Sequence, residues 1–472
     1  MDKLIFNFIL FTILLGSCST DQAKTNDYTA ITGATLFDGT GQTVENAVIL
    51  IKDGRIEAVG NQELTIPKGT ETIDASGKYI TPGLIDSHVH FAQTGFFDGR
   101  PDVVDLRDSL DYDELQKELR DNPEPYYEAY LRSGVTAVYD VGGFLWSIER
   151  QTTAEDNLNA PHVAASGPLL SGYPENRLDF FNTLDAKQMV FLASPEKGRA
   201  SVRQHSDLGS TGIKIWGLRL DDPNFLKGLD AVAEETVAQG NKLIVHATSL
   251  DQAKKAIEVG AKVLVHSVQD QEVDEAFLKM AKENRVIYLP TLIVGRGYLE
   301  TYKSLLTLRE IDDPNQLMDS RAKAFLQTST QFSKFLSPDF DLAARIERSE
   351  QSVNNREATM AINLKKVYDA GITIAVATDA GNPGTFHGIS IYEEMEAMQN
   401  AGIPAIDLIQ MATQNGATAM ERLDDFGTLE KGKMADLIIL AQNPALDISN
   451  MRSITHVMRG GVLRPVDVPF KK

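Results

Sequence analysis

Leu84 to His90 reads LIDSHVH, an apolar run that ends in two histidines one residue apart. In a strand, residues i and i+2 share a face, so His88 and His90 project together. Two neutral imidazoles on one face can grip a single divalent metal ion. Alone, the pair is no more than two chance histidines. Three further apolar runs end in comparable groups: KLIVHA carries His246, KVLVHS carries His266 and IAVATDA carries Asp379. GIKIWG places Lys214 within an apolar strand, where an unpaired ammonium is costly. Four of the eight histidines therefore stand at the carboxyl ends of predicted strands, a shared position that satisfied core residues do not explain. The chain has one cysteine, Cys18, so intramolecular disulfides and cysteine-rich zinc sites are excluded. A metal here must be held by His, Asp, Glu or a modified side chain.

The elements that must position these groups have two textures. From Tyr28 to about Lys78 the pattern is short strands and turns, with Asp53-Gly54 between two apolar runs as a hairpin signal. The texture returns at the C-terminus, where Gly460-Gly461 is a second hairpin turn, so residues 28–78 and 428–472 are predicted to pair into one small β-domain, a β-sandwich. Between them, residues 79–427 alternate strand-like and helical stretches. The strand-like runs are YITPGLIDSHVH, VTAVYDVG, HVAASG, GIKIWG, KLIVHA, KVLVHS, VIYLPT and ITIAVATDA. Strands alternating with helices imply a parallel sheet with buried strands. Eight such units predict an α/β fold closed as a (β/α)8 TIM-like barrel, whose active sites sit at the carboxyl ends of the strands. A doubly wound open sheet is the alternative; no glycine-rich phosphate loop follows the first strand, so a dinucleotide fold has no support.

ITPGLIDSHVH, followed in order by Lys214, His246, His266 and Asp379, resembles the metal-dependent amidohydrolase superfamily, most of all its imidazolonepropionase and prolidase-like branches. The late GTLEKGKMADLIIL and the two-ended β-domain are similar too, and the resemblance covers nearly the whole chain after residue 28. It implies a metal site in which His88 and His90 bind the more buried ion and His246 and His266 the more exposed one. Asp379 would be both a ligand and the catalytic proton carrier. Lys214 would be carboxylated by CO2 and bridge the ions. The implied cofactors are two divalent metals, zinc foremost, about 3.5–4 Å apart and sharing a hydroxide. The implied reaction is hydrolysis of a carbon–nitrogen bond in a small-molecule amide, peptide or cyclic amide. A mononuclear cyclic-amide hydrolase or deaminase, with His266 contacting substrate or water, is a second reading. A catalytically silent, metal-holding surface lipoprotein is a third.

The pocket is predicted in the long connections 91–134, 168–211 and 292–371. The last is read as a lid or side wall, or else as a helical elaboration that only adds stability. Arg219 and Arg296 are candidates for a substrate carboxylate, Tyr298 is comparable, and His387 is a candidate for supporting the ligands from behind. The chain departs from many peptidase-like relatives at Thr248, where they carry an aromatic residue or a second histidine. Recognition of a dipeptide carboxylate is not legible at that place. His162, His205 and His456 lie off the rim pattern and are read as structural.

The formal charge is −20, which argues against a nucleic-acid partner. Residues 1–17 have the length and apolarity of a signal peptide. They run into LLGSC, which resembles the lipobox of bacterial lipoproteins and implies lipidation of Cys18. Residues 18–27 then read as the lipidated cysteine and a tether, on an exported, membrane-anchored protein that could assemble with copies of itself.

Overall fold

A computed structural model describes residues 28–97, 106 and 110–470. The leader, the tether and Cys18 lie outside the described residues. Among the described residues, no helix is long and apolar enough to cross a membrane.

Both chain ends contribute to one eight-stranded sheet. Asp53 and Gly54 adopt left-handed φ of 50° and 74°, the conformation a two-residue hairpin needs between Thr43–Lys52 and Arg55–Gly60. Gly460 and Gly461, at φ 56° and 80°, do the same between Ile454–Arg459 and Val462–Pro465. The ends join where Leu437–Leu440 runs antiparallel to Tyr79–Pro82, with Ile439 opposite Ile80. Tyr79–Pro82, the first residues of the segment read as barrel, thus belong to this sheet, which has its own apolar cluster around Ile49, Ile51, Leu437 and Met458.

The middle holds two parallel sheets. One contains Leu84–Val89, Val135–Asp140 and His162–Ala165 in that order. The other has seven strands, with Ile213–Trp216, Leu243–His246, Val263–Val265, Ile287–Leu289 and Thr373–Ile374 as consecutive neighbours. Two short strands inside the 168–211 connection, Leu169–Ser171 and Met189–Phe191, extend its edge. Main-chain bonds also tie the first sheet to the chain beyond Thr373–Ile374: Ser87 N–H to Val376 O (3.0 Å), His90 N–H to Ala380 O (2.8 Å) and Asp379 N–H to His88 O (2.8 Å). At the other side Thr211 N–H donates to Ala165 O (3.0 Å).

Side chains alternate between two apolar clusters, as strands require. Ile85, Ala137, Ile244, Val265, Leu289 and Ala377 gather in one. Val138, Ile213, Ile215, Val245, Leu264 and Tyr288 pack in the other, with helix residues such as Leu229, Ala253 and Phe277. The helices have local causes. Ser249 caps Leu250–Glu258 by accepting from Gln252 N–H, and Gly260 at φ 98° follows its end. Asp222 caps Pro223–Ala238, which has proline in its first turn. The 292–371 connection forms helices Val294–Ser304, Ser320–Gln327 and Leu342–Asp369. Its Phe325 and Phe332 pack on Phe96, just past the first strand, with centroids 5.7 and 5.8 Å away.

Candidate metal centre

The alternation explains how each donor reaches one cavity. Lys214 lies opposite Ile244, and partners in a parallel register share a face. Lys214, Ile244 and His246 therefore point the same way. Val265 is the register partner of His246, so an unbroken strand would turn His266 away. His266 instead takes φ 73°, outside the strand region, and its ring comes to 4.3 Å from that of His246. On the first strand, Asp86 pairs with Val138 and Val89 with Asp140, so Ser87 and His88 together face Tyr139. This bulge shifts the phase by one residue, and His88 joins the face that Ile85 begins. Asp379 continues the alternation of Ala375 and Ala377, and its own φ is 58°. Left-handed backbone at non-glycine residues costs roughly 1–2 kcal/mol each and concentrates at functional sites.

His88, His90, Lys214, His246, His266 and Asp379 line one cavity of ≈ 450 Å³. His88 Nε2 lies 3.2 Å from His90 Nε2, and Asp379 Oδ1 lies 3.2 Å and 3.0 Å from these two atoms. His266 Nδ1 is 3.9 Å from Asp379 Oδ2. His88, His266 and Asp379 each offer a ligand atom within 4.8 Å of the others. Donors around a tetrahedral centre with arms of about 2.0–2.1 Å stand roughly 3.3–3.4 Å apart, so the triangle of His88, His90 and Asp379 fits a bound cation. Asp379 Oδ1 is buried and has no hydrogen-bond partner among the described residues, an orphan acceptor that a cation would satisfy.

The protonation states suit the same occupant. His90 Nδ1 is 2.6 Å from the Gly142 carbonyl and must donate to it, and its Nε2 faces Asp379 Oδ1 at 3.0 Å. Burial, with repulsion from Lys214 and neighbouring rings, pushes His88 well below the usual histidine range and His246 down to about 3. Burial and repulsion from His246 do the same to His266. Burial also brings the Lys214 ammonium down to about 7, against the pull of Asp379 and Asp140. Lys214 is 1% exposed and forms no salt bridge among the described residues.

The supporting groups were less legible. Thr291 Oγ1 holds His266 Nδ1 at 2.7 Å. Asp86 accepts from Thr378 Oγ1 (2.6 Å), Thr378 N–H (3.0 Å) and His88 N–H (3.3 Å), and burial raises it to about 7. A carboxylate inside LIDSHVH was the available signal, since a buried carboxyl needs such partners.

The substrate candidates separate. Tyr298 lines the cavity and donates to Asn382 Oδ1 (3.1 Å). Arg219 does not line it: both its Nε and Nη2 bond Asp221 at 3.1 Å. Arg296 does not line it either, being held by Glu357 (3.1 and 2.5 Å) and Asn354 (2.8 Å). A local acidic partner satisfies each guanidinium. His387 is fully buried behind the site, between Tyr130 Oη (2.7 Å) and the carbonyl of cavity-lining Gln93 (2.9 Å). The 292–371 connection supplies a cavity wall through Tyr302, Arg345, Val353 and Arg356, all four of which escaped the sequence reading. His162 is bonded to Glu155 (2.7 Å) and Asp436 (2.8 Å) and links the parallel strands to the sheet of the chain ends.

The model of the amidohydrolase family matches residues 79–464, which hold every one of these donors. The chain belongs to the amidohydrolase family. This amidohydrolase is 26% identical to the ochratoxinase of Aspergillus niger over 487 aligned residues, covering 94% of this chain and 88% of the relative. It is also 26% identical to the imidazolonepropionase of Porphyromonas gingivalis over 441 residues, covering 89% and 90%. Among solved structures, a Xaa-Pro dipeptidase with methionine bound in its active site matches with a TM-score of 0.70 and 25% identity, over 93% of this chain and 100% of that one. The A. niger ochratoxinase crystal structure matches with a TM-score of 0.68. Members of the family are metal-dependent, and this amidohydrolase is a hydrolase with a possible metal site at His88, His266 and Asp379.

Proposed function

We propose that this amidohydrolase hydrolyses the carbon–nitrogen bond of an amide, peptide or cyclic amide, with divalent metal held by His88, His90, His246, His266 and Asp379. The observation that carries the reading is the orphan Asp379 Oδ1 facing two imidazole nitrogens at 3.0 and 3.2 Å in a buried cavity. The relatives' names support the bond class: an ochratoxinase, an imidazolonepropionase and a Xaa-Pro dipeptidase. Bound metal supplies Lewis acidity and lowers the pKa of water towards about 7. Asp379 takes the proton of the attacking water and returns it to the leaving nitrogen. Burial favours the neutral, metal-binding form of His88, His246 and His266, and the Gly142 carbonyl and Thr291 hydroxyl fix the rings of His90 and His266. Leu169, Met189 and Val353 give the cavity part of an apolar wall.

A binuclear centre with carboxylated Lys214 is favoured over a mononuclear one by two facts. Lys214 is buried on the face of His246, and burial makes its amine partly neutral near pH 7. A neutral amine is the form that adds CO2, with loss of a proton. On this reading the two parallel sheets close as a (β/α)8 barrel, which the bonds from Ser87, His90 and Asp379 support. Export and anchoring through Cys18 are part of the proposal, resting on the apolar run 1–17 and the lone cysteine. Radiolabelled palmitate incorporation that survives Cys18→Ser would refute the anchor. The test of the activity is a screen of N-acyl amino acids, dipeptides and cyclic amides with metal-loaded protein. Release of amine or acid supports it; a metal-loaded protein inert to every class contradicts it.

A further inference from the structure

The inner face of helix Leu342–Asp369 carries Arg345, Ser349, Val353, Arg356 and Met360, at spacings of a single helical stripe, and all five line the cavity that holds the donors. Arg356 stands apart from the other guanidiniums near the site. Arg219 and Arg296 are each claimed by a carboxylate at two atoms. Arg356 donates only to neutral oxygens, Gln269 Oε1 at 3.4 Å and the Ser352 carbonyl at 3.3 Å, and meets no carboxylate among the described residues. Its neighbour Glu357 is bound to Arg296 instead.

The position is also suggestive. Gln269 lies three residues past His266, and its N–H is tied to the Thr248 carbonyl at 2.9 Å. Arg356 Nη2 lies 3.9 Å from where a Cβ on Gly295 would stand. The guanidinium thus bridges from the helical wall to the strand-end loops, between Gln269 and the start of helix Val294–Ser304. Arg345 is about 16 Å away along the helix axis, exposed, and bonded to the Tyr302 hydroxyl at 3.3 Å. A half-buried guanidinium with only weak neutral partners, opening on a reaction cavity, is suited to forked bonds with an anion.

We infer that Arg356 binds a free carboxylate of the substrate, so that the amides cleaved are those carrying an acid group. This deepens the hydrolysis proposed above and rests on it. It also supplies a carboxylate site that Thr248 does not.

The test is calorimetric titration of metal-loaded protein with N-benzoylglycine and its uncharged counterpart N-benzoylglycinamide, beside a hydrolysis assay of both. The acid should bind at least about tenfold more tightly than the amide. Arg356→Gln should abolish that preference with an unchanged melting temperature, Arg356→Lys should restore part of it, and Arg345→Gln should keep it. No saturable binding of the acid, equal binding of acid and amide, a preference that survives Arg356→Gln, or one lost in Arg345→Gln instead would each overturn the assignment. Hydrolysis without acid preference refutes Arg356 alone. Acid preference without hydrolysis of any amide refutes the proposed reaction alone.

Discussion

Replacing Asp379 with asparagine separates chemistry from architecture. Asp379 is 4% exposed, and its Oδ1 accepts no hydrogen bond among the described residues, so the fold does not hang on it. The main chain there is held independently, by Asp379 N–H to His88 O (2.8 Å) and by Thr385 Oγ1 to the Asp379 carbonyl (3.0 Å). The φ of 58° is one that asparagine tolerates better than most residues. Metal-free Asp379→Asn should therefore unfold within about 1 kcal/mol of the parent in denaturant titration. Catalysis should suffer far more. An amide can neither take the proton from water nor offer a charged oxygen to the cation. Loss of general base catalysis costs about 10²–10⁴-fold, or roughly 3–5 kcal/mol of barrier. The assay is kcat/KM on any amide found to be cleaved, with metal supplied in excess. A variant that keeps activity within about tenfold of the parent would remove Asp379 from the mechanism.

Thr291→Val deletes the 2.7 Å contact to His266 Nδ1 while keeping the side-chain shape, and should weaken metal affinity about 10–100-fold in chelator competition. Unchanged affinity would show that the hydroxyl does not position the ring. Acid stability probes the cluster between the sheets. Burial pushes Glu155 up, but its bond and attraction to His162 and its bond to Arg422 outweigh this and bring it down to about 2. A folded pKa below the unfolded value means stability that is present above about pH 4.5 and lost as pH falls through about 2. Glu155→Gln should cost on the order of 2 kcal/mol near pH 6 and progressively less towards pH 2, read from denaturant midpoints. A difference that does not change with pH would exclude the ionised form as its source.

The parts of the site that were legible are those set by local pattern. The histidines and Asp379 stand at the ends of apolar runs and Lys214 within one, and those runs can be read in the sequence, as can the Asp53-Gly54 hairpin. What was not legible depends on residues distant in the chain. The i, i+2 argument brought His88 and His90 together, but the bulge opposite Tyr139 decides which face they take. The φ of 73° at His266 is likewise invisible in KVLVHS, because strand alternation alone sends that ring away. Arg296 looked free beside its strand because Glu357 is 61 residues later. Arg356 was not singled out, because only the docking of helix Leu342–Asp369 turns its stripe to the cavity.

Metal stoichiometry tests the account at its centre. Protein reconstituted with zinc, desalted and measured by plasma mass spectrometry should carry about two equivalents per chain. Lys214→Ala should fall towards about one. A wild-type chain that retains no stoichiometric metal, or a Lys214→Ala chain that keeps both ions, would contradict the account, the first in its metal chemistry and the second in its bridging lysine.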